Sequence, residues 1–131
     1  MPYRFEFDRK NKVLLLSYEG QLTQSMAEES GAAIQKYWPV TAPSVVIVDF
    51  SSVTEFAVPT EFLYRVADQA LIVDATETPV ALVSPIPVGF GLARMFEIVG
   101  QRRRPLMHVV RTMDEAFAVL GIQSPNFEPL T

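Results

Sequence analysis

Tyr3, Phe5 and Phe7 alternate with Arg4, Glu6 and Asp8, the period of two expected of a half-buried strand. The polar run Arg9-Lys10-Asn11-Lys12 reads as a hairpin turn. Val13 to Tyr18 reads as a second strand, closed by Glu19-Gly20. So short a turn allows no crossover, so the pair is expected to be antiparallel. From about Leu22 the period changes: Leu22, Met26, Ala33, Ile34, Tyr37 and Trp38 recur at helical spacing. Thr23 or Ser25 can cap this helix, and Ser25 with Glu28 matches a capping box. Pro39 and Pro43 are expected to end it.

Ser44 to Phe50 is a short, almost unbroken β-branched run, the mark of a central strand covered on both faces. Pro59 through Val73 places Phe62, Val66, Ala70 and Val73 on one helical face. Pro79 to Ser84 is another short buried strand, and Val88 to Gly100 a third helix with Leu92, Phe96 and Val99 inward. Leu106 to Val110 is a fifth strand. Thr112 to Glu115 is a capping box that opens a fourth helix, and Gly121 closes it. The order β-β-α-β-α-β-α-β-α predicts an α/β fold with right-handed crossovers. Its mixed five-stranded sheet would have one antiparallel edge strand and the rest parallel. A single domain is expected over residues 1–121. Residues 122–131, with two prolines between Ser124 and Thr131 and no period, read as an extended C-terminal tail whose Phe127 and Leu130 are free to dock on the body.

Composition narrows the chemistry. The chain has 131 residues, 49% of them hydrophobic and 20% charged, so it is globular and long enough to fold without staples. It has no cysteine, which removes disulfides, thiolate metal sites and cysteine nucleophiles. The lone histidine, His108, cannot make a common zinc site without a second histidine or a cysteine, and it is expected to be structural. No metal or cofactor is expected. The net charge of −4 argues against a global attraction to nucleic acid or anionic membrane. Charges within the first eight residues leave no signal-peptide core, and no apolar run is long enough to span a bilayer, so a cytoplasmic location is expected.

The stretch Val46-Ile47-Val48-Asp49-Phe50-Ser51-Ser52-Val53-Thr54, in this order of elements, resembles the STAS fold of anti-sigma-factor antagonists and sulfate-transporter C-termini. In that family the next helix begins with a phosphorylatable serine. Here the matching stretch is Ala57-Val58-Pro59-Thr60, which lacks the serine and leaves Thr60 as a displaced candidate. A second stretch, Pro87 to Phe96, followed by Val109 to Thr112 and Glu115-Ala116, is similar to bacterial STAS-like proteins without the phosphorylation motif. That group is also compared with CRAL-TRIO-type lipid-binding domains. The resemblance covers residues 3 to 121 and implies a non-enzymatic domain that works by binding.

Candidate site residues converge on the rim beyond the carboxyl ends of the strands, where ligands sit in open α/β sheets. Asp49 ends the central strand, Glu55, Phe56 and Thr60 follow it, and Ser84, Gly89, Phe90, Gly91 and Arg94 lie after the next strand. Gly89 and Gly91 open a helix. Arg94 stands where a dinucleotide fingerprint needs Gly or Ala, so these glycines read as a tight helix start or as a simple anion-binding turn. Arg94, Arg102, Arg103, Arg104 and Arg111 form a basic stripe opposed there only by Glu97. It reads as solvated charge complementing a helix C-terminus or as a docking stripe for an acidic group. Phe56 and Phe90 are expected in loops, where they would line a cleft or a partner patch.

Two functions follow from these residues. In the first, the segment Glu55 to Thr60 and the helix after it dock a protein partner or a second copy of the chain. In the alternative, the rim formed by the 50–60 and 84–94 loops carries or senses a small apolar or lipid-like ligand, with Gly89, Gly91 and Arg94 holding an anionic head. No paired acid/base or nucleophile–base constellation supports an enzyme.

Overall fold

The computed structural model describes residues 2–68 and 77–130. Strand β1 (Tyr3–Asp8) pairs antiparallel with β2 (Val13–Thr23), with Tyr3 opposite Tyr18 and Asp8 opposite Val13. Asp8 organises the turn between them. Its buried carboxylate accepts from the backbone N–H groups of Lys10 and Asn11 at 3.1 and 3.2 Å and from the Asn11 side chain at 2.7 Å.

Helix α1 (Gln24–Thr41) is capped by Thr23, whose hydroxyl accepts from Met26 N–H at 3.2 Å; Ser25 lies inside the helix. Pro39 does not end α1. The proline removes one N–H, but Thr41 Oγ1 donates to the Tyr37 carbonyl at 2.9 Å and Ala42, in the left-handed region, donates to Trp38 O at 2.8 Å.

Strand β3 (Val45–Ala57) runs parallel to β2, and both are longer than their apolar cores. The expected strand ends at Glu19-Gly20 and Phe50 are instead the start of a two-stranded ribbon. Register shifts flank Gly20, whose φ of 77° suits a glycine in a bulge rather than a stop. The ribbon continues to the pair Thr23–Ala57. Helix α2 (Thr60–Asp68) follows; the remainder of the helix expected to Val73 lies outside the described residues.

Strand β4 (Val80–Val83), helix α3 (Pro87–Val99), strand β5 (Met107–Val110) and helix α4 (Met113–Leu120) complete the α/β order. In α4, Thr112 Oγ1 accepts from Glu115 N–H at 3.1 Å and Gly121 closes the helix with φ of 69°. Among the described residues the sheet has six strands rather than five, in the order β5-β4-β3-β2-β1-β6. The added strand, β6 (Glu128–Pro129), comes from the C-terminal segment and pairs antiparallel with β1. Strand β1 is therefore not an edge. Short aperiodic runs carry no strand signal of their own; β6 exists because Leu130 N–H reaches Phe5 O at 2.9 Å and Phe127 stacks on Phe117.

Alternation along the strands sorts the core into two layers. Val13, Leu15, Ile47, Ala81 and Val83 face α4, with Ala116 and Ile122. Leu14, Leu16, Val46, Leu82 and Ala93 belong to the opposite layer, under α1 and α3. The first layer is closed, but in the second the mid-sheet residues Val48 and Phe50 remain half-buried, as do Ile34, Trp38 and Phe96 above them. Of the eighteen residues of α1, only Met26 and Ser30 are buried.

Candidate functional site

The incomplete layer borders a cavity of about 670 Å³ that opens to solvent on one side, within the size range of small-molecule sites. Its floor is the sheet, through Leu16, Val46, Val48 and Leu82; its roof is α1, through Gly31, Ile34 and Trp38. Phe62 and Val66 of α2 and Leu92 and Phe96 of α3 form the side walls. Glu28, Ala32 and Gln35 on one face of α1, and Arg65 on α2, line the cavity and are also exposed, so they mark where it meets solvent.

At one end the wall is aromatic. Tyr18 stacks on Phe50 with ring centroids 5.4 Å apart, and Phe50 meets Phe56 at 6.2 Å. Tyr18 also fastens α1 to the sheet. Its hydroxyl pairs with Ser30 Oγ, which in turn donates to the Ala27 carbonyl at 3.1 Å. Burial pushes the Tyr18 phenol up to about 12, so it stays a neutral donor and leaves the wall uncharged.

Gly89, in the first turn of α3, is where the aromatic wall meets the helix. A Cβ there would lie 2.3 Å from Ser84 Oγ and 2.5 Å from Phe56 Cζ. Of the two readings of this glycine pair, close approach of helix and strand is the one realised at Gly89, whereas a Cβ on Gly91 would meet nothing within 4 Å. Gly89→Ala is therefore expected to destabilise the fold by about 1–3 kcal/mol through overpacking. Gly91→Ala is expected to stabilise it by about 0.5–1 kcal/mol through helix propensity. Urea denaturation of the two variants checks both signs.

The predicted rim residues divide. Phe56 and Gly89 line the cavity, and Ser84, fully buried, packs behind them. Neither Phe56 nor Phe90 lies in a loop: Phe56 is in the β2–β3 ribbon and Phe90 in α3. Phe90 stays outside the cavity, beneath the Arg111 guanidinium at 4.0 Å. Asp49 turns to its own strand, accepting from Ser51 N–H at 2.9 Å. Glu55 and Thr60 are exposed, Thr60 as the first residue of α2. Arg94 pairs with Glu97 one turn on, and neither it nor Gly91 touches the cavity.

The basic stripe also breaks up. Arg102 and Arg103 are exposed, whereas Arg104 turns inward and is only 8% exposed. It lines the cavity and lies over the Phe96 ring at 4.8 Å. Arg104, Tyr18 and the α1 residues were not signalled by any motif. Arg104 reads as the end of a charge run, and α1 reads as an ordinary amphipathic helix. Among the described residues there is no group of three or more metal-ligating side chains and no helix long and apolar enough to cross a membrane.

The arrangement of sheet and helices is the STAS fold of anti-sigma-factor antagonists. The chain is similar to the anti-sigma factor antagonist SpoIIAA in its unphosphorylated form, with 17% identity and a TM-score of 0.59 over 91% of this chain and 97% of that one. It is similar also to the phosphorylated form of the Bacillus cell fate determinant SpoIIAA, with 16% identity, a TM-score of 0.57, and 90% and 98% covered. A candidate anti-sigma factor antagonist from Thermotoga maritima gives 14% identity and a TM-score of 0.62 over 91% and 94% of the two chains. No family model and no curated protein matches the sequence.

Proposed function

We propose that this protein is a non-enzymatic binding domain that carries or senses a small apolar ligand between α1 and the sheet. The observation that carries this reading is the 670 Å³ cavity in a layer that should be core. Native interiors pack with few gaps, and apolar side chains that border an open cleft of this size forgo packing contacts that an apolar ligand would supply. Its lining is almost entirely apolar and aromatic, which suits a hydrocarbon body better than a polar substrate. A ligand that binds only the folded protein raises its stability by mass action, about 2.7 kcal/mol at a hundredfold excess over Kd. Octanoate through palmitate are expected to raise the thermal midpoint by several degrees, more with each added methylene until the cavity is full. A midpoint that none of them moves would refute the reading.

A second reading is a protein-docking role for the segment Glu55 to Thr60, and the antagonist fold favours it. Glu55 and Thr60 are exposed and Tyr64 is 48% exposed one turn further on, so charge and one aromatic are available to a partner. The apolar side chains of that segment and helix count against it: Phe56, Val58 and Phe62 line the cavity.

A further inference from the structure

Arg104 presents a charge in an unusual setting. It follows α3, is 8% exposed, and lines a cavity that is otherwise apolar away from its mouth, where Glu28, Gln35 and Arg65 meet solvent. One edge of its guanidinium is accounted for: Nη2 donates to the Ala67 carbonyl at 2.8 Å, and the group lies over Phe96. Nε is buried without a hydrogen-bond partner. No carboxylate among the described residues pairs with Arg104, and both its burial and the neighbouring Arg103 press its pKa below the ordinary arginine value. A buried cation with a free donor is costly unless an anion completes it.

We propose that Arg104 is the anchor for the carboxylate of a monoanionic amphipathic ligand, a fatty-acid-like molecule whose hydrocarbon chain fills the cavity. This rests on the apolar-ligand reading above and adds the head group and its orientation. One guanidinium with no second cation on the cavity beyond the solvent-exposed Arg65 matches a single negative charge, and a carboxylate fits the planar donor edge. Arg104 lies three residues before Met107, which pairs with Val80 at the end of the cavity where β3 begins. The chain of the ligand would run from there along Val46 and Val48 toward Phe50, about 13 Å of strand. Arg94, the cation first expected at the head group, is instead neutralised on the surface by Glu97.

The test compares dodecanoate with dodecanol by titration calorimetry, on the wild-type protein and on Arg104→Met. The wild type is expected to bind dodecanoate about tenfold or more tighter than dodecanol, the increment of a charge-assisted hydrogen bond. Arg104→Met is expected to lose that preference and keep dodecanol binding. Equal affinities in the wild type, or a preference that survives in Arg104→Met, would overturn the anchor while leaving the cavity reading intact. Failure of both ligands to bind would overturn the two together. A second measurement needs no variant: NMR of carboxyl-labelled dodecanoate bound to the wild type. A guanidinium partner holds the bound carboxyl below the ordinary carboxylic range, whereas an apolar surrounding alone pushes it up, and the latter result would refute the anchor.

Discussion

Replacing Val48 with Trp is expected to leave the protein as stable as the wild type, or more so, and to weaken binding of dodecanoate about tenfold or more. Val48 lies in β3 between Leu16 and Leu82, and is half-buried although both neighbouring strands flank it. In a packed core, extra side-chain volume costs about 1–3 kcal/mol through strained rotamers and displaced backbone. At Val48 the indole would enter existing space and remove apolar area from water, a gain of about 25 cal/mol for each Å². The next residue supplies the control. Ile47 points to the other layer, is fully buried, and belongs to the closed cluster under α4. Ile47→Trp is expected to lose about 3 kcal/mol or more, or to fail to fold. Opposite signs at adjacent positions are what a half-empty, two-layered core requires; equal losses would mean that the α1 layer is as tightly packed as the α4 layer. Denaturant titration gives the stabilities and calorimetry the affinities.

Asp8→Ala is expected to cost about 3 kcal/mol and to free the C-terminal segment. The carboxylate is 1% exposed and accepts four hydrogen bonds, from Lys10 N–H, Asn11 N–H, the Asn11 side chain and Asn126 N–H. It therefore joins the first hairpin to the chain just before β6. Removing it leaves partly buried donors without an acceptor, and hydrogen bonds to a charged group are worth about 1.5–3 kcal/mol. Burial by itself raises the Asp8 pKa, but the donors from Asn11, Asn126 and Lys10 outweigh it, and the folded value falls below the ordinary 3.8. A depressed carboxylate stabilises the fold at and above its ordinary pKa and loses that contribution as pH falls through the folded value. Acid unfolding of the wild type should thus steepen below about pH 4, and Asp8→Ala should lack that limb. Hydrogen exchange at residues 126–130 should rise in the variant. A loss below about 0.5 kcal/mol with unchanged exchange would contradict this account of the tail.

Much of the fold was legible because its elements carry strong periodicity. The alternation of Tyr3 to Asp8, the β-branched run before Phe50 and the capping box at Thr112 all became the expected structures. What was not legible depended on tertiary contact. The ribbon beyond Gly20 and Phe50 is held by pairing across strands rather than by apolar runs, and β6 has only two residues. The candidate site was half legible. Gly89 stands out in the sequence as a glycine that opens a helix after a strand, and Phe56 as an aromatic beyond the central strand; both line the cavity. The cavity itself is an absence of packing between α1 and the sheet, and no single residue announces a gap. Arg104 was hidden for a related reason: in the run Arg102 to Arg104 the residues are chemically identical, and only the path of the chain turns the last of them inward.

The central claim is that the cavity holds an apolar ligand, and native mass spectrometry of gently purified protein, repeated after denaturing extraction, tests it most directly. The account predicts a mass above that of the chain, lost on extraction, with a fatty-acid-like molecule recovered in the organic phase. A native mass equal to that of the chain, unchanged when dodecanoate is added, would contradict it.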